Sequence, residues 1–262
     1  MITNFYKYQG TGNDFIIIDS RNINFDVSEN VIKKISDRKF GVGSDGVIII
    51  KNHAELHFEM QFYNPDGSKS FCGNGSRCAV LFSFHMGISP RKCSFLTNDG
   101  VHQAEVLDDK NVKINIIGPV KIKQLPSLDY ELNTGSPHYI KFVDDVDIDD
   151  FVAKSQLIRN NNVYKHKGIN VNFVSDKQND IYMRTYERGV ENETLSCGSG
   201  VTAAAIAYGF KNGLDSGKIV VFTKGGDLTV SFDRTNEVFE KIFLTGPAKF
   251  VFRGEIDLWK LE

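Results

Sequence analysis

Residues Cys72–Met86 read CGNGSRCAVLFSFHM: a cysteine, two glycines within the next three positions, then a run that is apolar almost throughout. A helix of that length at the surface would carry a polar stripe, so a helix without one is expected to be enclosed on all sides. Gly87 supplies its stop. The pattern recurs 125 positions on (72 to 197), where Cys197–Phe210 reads CGSGVTAAAIAYGF with Gly213 as the stop. Ser76–Met86 and Val201–Phe210 are thus predicted as two buried helices, each entered through a Cys-Gly-x-Gly turn.

The repeat extends outward from these helices. Gly10-Thr-Gly-Asn-Asp-Phe-Ile lies 62 positions before Cys72, and Gly135-Ser-Pro-His-Tyr-Ile lies 62 before Cys197. Phe95-Leu-Thr-Asn-Asp-Gly answers Val221-Phe-Thr-Lys-Gly-Gly, and Lys113-Ile-Asn-Ile-Ile-Gly-Pro answers Lys241-Ile-Phe-Leu-Thr-Gly-Pro. Four landmarks in one order describe two homologous halves, 1–118 and 119–262, meeting at Gly118-Pro119. Short β-branched and aromatic runs bounded by turn residues predict strands at Phe15–Asp19, Val47–Ile50, Leu56–Tyr63, Val112–Ile117, Ile181–Tyr186, Ile219–Thr223 and Leu228–Phe232. Strand-rich halves with one buried helix apiece predict an α+β fold, in which a curled mixed or antiparallel, barrel-like sheet wraps a central helix twice. Val31–Lys39 reads as a surface helix, Asp144–Asp150 (DDVDIDD) as a solvated turn and helix start, and Asn160–Asn162 as a loop.

The totals exclude several function classes. A net charge of −2 over 262 residues, without a long Lys/Arg run, offers no basic surface to nucleic acid or an anionic membrane. No stretch approaches the roughly 20 apolar residues that span a bilayer, and no signal-peptide pattern opens the chain. A cytoplasmic protein is expected, with Cys72, Cys78, Cys93 and Cys197 as reduced thiols. Gly41-Val-Gly-Ser-Asp-Gly46 matches a dinucleotide fingerprint, but a polar basic segment precedes it and a strand follows, the reverse of the required context. His53-Ala-Glu-Leu-His57 reads as a turn entering a strand. The 72/78/93 spacings lack a C-x₂-C pair, which argues against structural zinc, and Cys78 and Cys93 read as core residues.

Cys72 and Cys197 stand apart because each opens a helix. The helix N-terminus lowers a thiol's pKa, and glycines beside it let a carboxylate approach the free N–H groups. Two such thiols related by duplication are expected to face each other across a pseudo-twofold axis, which suits inversion at one carbon. One thiolate removes a proton from one face and one thiol delivers a proton to the other, while the helix ends stabilise enediolate charge. This chemistry requires neither cofactor nor metal, and nothing in the sequence signals pyridoxal phosphate.

At this point the residues resemble a known family. Gly10-Thr-Gly-Asn-Asp-Phe, Tyr63-Asn-Pro-Asp-Gly-Ser, Phe71-Cys-Gly-Asn-Gly-Ser-Arg-Cys, Pro137-His138, Asn170-Val-Asn-Phe, Tyr186-Glu-Arg-Gly and Glu193-Thr-Leu-Ser-Cys-Gly-Ser-Gly together are similar to the diaminopimelate epimerases over essentially the full chain. The resemblance implies interconversion of LL- and meso-diaminopimelate in lysine biosynthesis, with Cys72 and Cys197 as the acid/base pair. It implies that Gly73, Asn74, Gly198 and Ser199 hold the reacting carboxylate, and that Asn13, Asn64, Asn170, Glu187 and Arg188 contribute to substrate binding. It also implies that His138 and Glu187 tune the thiols, and that the enzyme is a homodimer. Three positions depart from the pattern. Ser136 replaces an Asn common before Pro-His, Gly46 stands where some relatives have a Gln that reaches substrate, and Phe252 replaces a Tyr that supports dimerisation in some relatives. The competing readings are a proline or hydroxyproline racemase type of enzyme or another two-cysteine amino-acid epimerase, and, in a different class, a thiol-based metal or redox protein. The phenazine-pathway isomerases share the fold but lack the cysteine pair.

Overall fold

The computed structural model describes residues 2–22, 27–177 and 180–258. In chain order the elements are β1 (Ile2–Gly10), β2 (Asn13–Asp19), α1 (Glu29–Ser36), β3 (Gly46–Lys51), β4 (Phe58–Tyr63), α2 (Gly73–His85), β5 (Lys92–Thr97), β6 (Gly100–Val106) and β7 (Asn111–Asn115). There follow β8 (Val120–Gln124), β9 (Tyr130–Asn133), β10 (Pro137–Phe142), α3 (Phe151–Arg159), β11 (Asn170–Lys177), β12 (Asp180–Glu187) and β13 (Asn192–Thr194). The last are α4 (Gly198–Lys211), β14 (Ser216–Thr223), β15 (Gly226–Thr235), β16 (Val238–Pro247) and β17 (Lys249–Asp257). The chain divides into two compact units, Met1–Ile114 with Gly246–Glu262, and Asn115–Thr245.

In the first unit the strand order is β17-β1-β2-β3-β4-β5-β6-β7, with β2/β3 and β4/β5 parallel and the remaining neighbours antiparallel. A backbone bond from Ala248 N–H to the Lys110 carbonyl (2.7 Å) ties together the flanks of the two end strands. The sheet curls around α2, whose residues Gly73–Ser83 are all buried. The β3 run is apolar on both faces for a physical reason. Val47 and Ile49 pack into a cluster with Val31, Ile32 and Ile35 of α1, while Ile48 lies against Gly75 of α2. A strand covered on both sides loses its polar alternation.

In the second unit the order β8-β9-β10-β11-β12-β14-β15-β16 returns on itself, because β16 pairs with β8. This is a closed eight-stranded barrel, parallel at β10/β11 and β12/β14, around the buried α4. Val171 and Phe173 of β11 face outward to Phe151 of α3. Strand alternation then turns Asn170 and Asn172 inward.

The units share one sequence of parallel and antiparallel neighbours, as the repeat requires, but their boundaries differ from the repeat's. Strand β8 follows Gly118-Pro119 as β17 follows Gly246-Pro247, so the two strands hold matching places in the repeat. Yet β8 pairs with β9 and β16, and β17 pairs with β1. The compact units therefore change over at 114/115 and 245/246 rather than at 118/119, and β17 completes the first sheet.

The buried helices each start three residues earlier than their apolar runs, at Gly73 and Gly198, because the Cys-Gly turns are themselves the first helical turns. Gly87 (φ 66°) and Gly213 (φ 65°) adopt the left-handed conformation that ends them. Helix α1 stops at Ser36 and not at Lys39, because the Asp37 carboxylate captures the N–H groups of Lys39 and Phe40 (both 2.7 Å). Strand β4 begins at Phe58 because His53 Nδ1 accepts the Glu55 and Leu56 N–H groups (3.1 and 3.0 Å) and holds that segment in a turn.

Candidate active site

Cys72 is the N-cap of α2 at φ −136°, ψ 108°, and Cys197 is the N-cap of α4 at φ −126°, ψ 110°. The two cysteines therefore occupy one backbone conformation in matched places, each at the positive end of an enclosed helix. The carbonyl of each accepts the first helical bond, from Ser76 and Val201 respectively (both 2.8 Å).

Around Cys72, the sulfur accepts the Gly75 N–H (3.4 Å) and lies 3.9 Å from Asn13 Oδ1. The orientation of Asn13 is set from behind. Its amide nitrogen donates to the Asp45 carboxylate (2.8 Å), which can only accept, so Oδ1 turns toward Cys72 and receives Asn74 Nδ2 (3.4 Å). Asp45 is held by Arg38, whose Nη2 bonds both Asp45 Oδ1 and Asp14 Oδ1 at 2.6 Å. Lys7 pairs with Asp14 at 2.5 Å. Burial alone would raise the Asp14 pKa; Arg38 and Lys7 overcome it and pull the value down to about 2. None of this network was legible in the sequence beyond Asn13 itself.

Arg77 is a second residue that sequence reasoning missed. It is fully buried within the apolar α2 and bonds Asn74 Oδ1 (2.9 Å) and the Gly73 carbonyl (3.3 Å). Among the described residues no carboxylate pairs with it. Burial lowers its pKa to about 10, against the opposing pull of Cys78 and Cys72, so it remains a cation at neutral pH. A lone Arg in an otherwise apolar helix was the available signal. At the matching place in α4, Thr202 bonds the Gly198 carbonyl (3.0 Å) without a charge.

Around Cys197, Ser199 Oγ lies 3.4 Å from the sulfur and 2.9 Å from His138 Nε2. The Ser199 carbonyl accepts from Thr134 Oγ1 (2.8 Å). His138 is fully buried on β10; burial, and after it the charge of Arg188, lower its pKa to about 3, so it is neutral at physiological pH.

The remaining predicted residues divide. Asn64 spans a tight turn, with Nδ2 on Ser68 Oγ (3.0 Å) and Ser70 Oγ (3.2 Å). Asn170 acts as a brace, donating to Ser136 Oγ (2.7 Å) and the Pro137 carbonyl (3.0 Å) while Oδ1 accepts the Arg188 N–H (2.8 Å). Ser136 thus contacts Asn170. Glu187 ends β12, half-buried. Arg188 is exposed, its Nη1 on the Lys167 carbonyl (3.1 Å), and among the described residues no carboxylate pairs with it. A side chain at Gly46 would meet the Phe62 ring at 2.4 Å, so the ring fills the space that a side chain there would need.

Cys78 and Cys93 are buried, and burial raises both thiols, Cys93 to about 11. Among the described residues no group of three or more His, Cys, Asp or Glu could hold a metal ion, and no helix is long and apolar enough to cross a membrane.

Comparison with known proteins places this arrangement. A family model described as diaminopimelate epimerase matches residues 5–122 and 130–251, one stretch per half of the repeat. The diaminopimelate epimerase of Flavobacterium psychrophilum is 42% identical over 254 residues, covering 96% of this chain and 99% of that protein. The diaminopimelate epimerase of Aquifex aeolicus is 39% identical over 279 residues, covering 98% and 99%. Among solved structures, a Bacillus anthracis phenazine biosynthesis protein of the PhzF family superposes with a TM-score of 0.73 at 13% identity, covering 98% of this chain and 99% of that one. A hydroxyproline epimerase from Agrobacterium vitis does so with a TM-score of 0.73 at 12% identity, covering 97% and 92%. At such identities these two likenesses carry the fold alone.

Proposed function

The chain belongs to the diaminopimelate epimerase family and is an isomerase; from that premise we propose that it interconverts LL- and meso-diaminopimelate with Cys72 and Cys197 as the acid/base pair. The observation that carries the mechanism is the matched N-cap placement of the two thiols on enclosed helices. The α-proton of an amino acid is weakly acidic, so its removal needs both a base and stabilisation of the enediolate left on the carboxylate. The first-turn N–H groups of Gly73, Asn74, Gly198 and Ser199 supply donors aimed at that charge. Arg77, a buried cation five residues along α2, adds positive potential on the Cys72 side. Arg188 binds the distal carboxylate, and Asn170 holds its backbone in place. The thiols exchange the roles of acid and base in the reverse direction, as microscopic reversibility demands.

Proton NMR in deuterated water tests this reading. Loss of the α-hydrogen signal from LL-diaminopimelate, with the meso isomer accumulating, is the expected result. Exchange of proline but not of diaminopimelate would replace the substrate assignment with that of a proline racemase type.

The working enzyme is proposed to be a cytoplasmic homodimer. Reduced thiols suit the cytosol, and no disulfide joins any of the four cysteines. Strand β17 exposes Phe250, Val251 and Phe252 in succession, an apolar face that a second copy would cover. Phe252→Arg is then expected to convert a dimer to a monomer in sedimentation. A variant that sediments as wild type would move the interface elsewhere.

A further inference from the structure

His138, Asn172 and Thr185 lie on the adjacent strands β10, β11 and β12 on the inner wall of the second barrel, Asn172 directly opposite Thr185 and diagonal to His138. All three are buried, Asn172 and His138 completely. The hydrogen bonds of this group determine where the imidazole proton sits. Asn172 Nδ2 lies 3.1 Å from the Tyr139 carbonyl, which can only accept, so the amide nitrogen must face it. In that orientation Asn172 Oδ1 is left to accept the Thr185 hydroxyl, at 2.9 Å. The amide nitrogen also meets His138 Nδ1 at 3.1 Å. Two N–H groups cannot face each other there, so Nδ1 carries the lone pair and Nε2 the proton.

Nε2–H then donates to Ser199 Oγ, and the Ser199 hydroxyl proton is left to point at Cys197 Sγ. Gly200 permits this arrangement: a Cβ at that position would stand 2.7 Å from Asn172 Oδ1 and 3.3 Å from His138 Cε1. Only a glycine lets the start of α4 rest against the pair.

We infer that Asn172, backed by Thr185, is a positioning residue that locks the His138 tautomer, so that a one-way chain of donors (Thr185, Asn172, His138, Ser199) ends on the Cys197 sulfur. His138 is in consequence a donor and not a base, because its one lone pair is occupied by Asn172. A donor aimed at sulfur favours the thiolate. The first unit is built differently. The repeat sets Asn13 at the place of His138 (138 to 13, again 125 positions), and there an acceptor oxygen faces Cys72. The two thiols are thus chemically unequal by construction.

The inference rests on Cys197 being one of the two acid/base thiols, but its test needs no substrate, so failure of the epimerase reading is seen separately. Long-range proton–nitrogen NMR of ¹⁵N-histidine protein reads the tautomer, with the His138 signals identified by their loss in His138→Gln. Peptide-mapped iodoacetamide labelling reads the ionisation of Cys197 as a function of pH. The wild type is expected to hold His138 neutral and protonated at Nε2 from pH 6 to 9. Asn172→Ala is expected to lose that single tautomer and to slow Cys197 alkylation at pH 7 about tenfold, roughly one pKa unit, with Cys72 labelling unchanged. Thr185→Ser, which keeps the hydroxyl, is expected to match wild type. A wild-type His138 protonated at Nδ1, or an Asn172→Ala profile for Cys197 identical to wild type, would overturn the inference. Should Asn172→Ala fail to fold, the wild-type spectrum decides alone.

Discussion

Replacing Cys72 or Cys197 with alanine is expected to lower the rate of inversion at least about 10³-fold, because in the proposed mechanism each removes one of two proton-transfer groups that act on opposite faces. Loss of function through unfolding is not expected. Cys72→Ala deletes the sulfur that accepts the Gly75 N–H, an N-cap interaction worth about 1 kcal/mol. Cys197→Ala deletes the sulfur beside the Ser199 hydroxyl, a loss of similar size. The sharper expectation concerns exchange without inversion. A variant that keeps one thiol still has a base on one face, so it can wash the α-hydrogen out of one stereoisomer and return deuterium to the same side. Cys72→Ala and Cys197→Ala are therefore expected to exchange opposite stereoisomers, each without accumulating its epimer. Proton NMR of both variants in deuterated water, with circular dichroism as the check on folding, measures this directly. Inversion within tenfold of wild type in either variant would rule out the two-thiol mechanism for this chain.

What could be read in the sequence follows from how local each feature is. Both cysteines, both enclosed helices and their glycine stops are written in contiguous residues, so composition and the repeat suffice to find them. The β3 run was legible because a strand covered on two faces has no alternation to disguise it. Pairings between distant segments were not legible. The exchange of β8 and β17 depends on partners more than 100 positions away for β16 and β1, and the strand signal of KFVFRGEID carries no address.

The polar support of the site was hidden for a related reason. Asn170-Val-Asn-Phe alternates as a strand should, but its asparagines point into a barrel, the reverse of the usual rule. Alone they read as turn residues. Only the neighbouring strands show that Asn170 braces Arg188 while Asn172 orients His138. Asp45 was passed over inside a glycine-rich decoy, and Arg77 inside an apolar run. Buried polar groups must find partners, and those partners come from tertiary contact, to which a single sequence gives no distance.

Arg188→Met is expected to reduce kcat/KM for diaminopimelate about 10²-fold, close to 2.7 kcal/mol, mostly through a higher KM. The side chain suits the task physically. Its backbone N–H is fixed by Asn170, its stem runs over Gly168, where a Cβ would meet Arg188 Cδ at 2.5 Å, and its Nη1 is steadied by the Lys167 carbonyl. Little rotamer freedom is left to lose when a carboxylate docks, and one exposed guanidinium can take both oxygens. Arg188→Lys keeps the charge but loses the two-point geometry, so an intermediate loss of about tenfold is expected. The positive charge at Arg188 also helps to hold His138 neutral. Arg188→Met should therefore raise the His138 pKa in the folded protein, although burial, the larger cause, keeps it low. The two effects separate by experiment. A carboxylate-binding role predicts that both variants raise KM with iodoacetamide labelling of Cys197 nearly unchanged at pH 7. An unchanged KM together with a shifted labelling profile would instead assign Arg188 to the thiol, and would leave the distal carboxylate of the substrate without its reader.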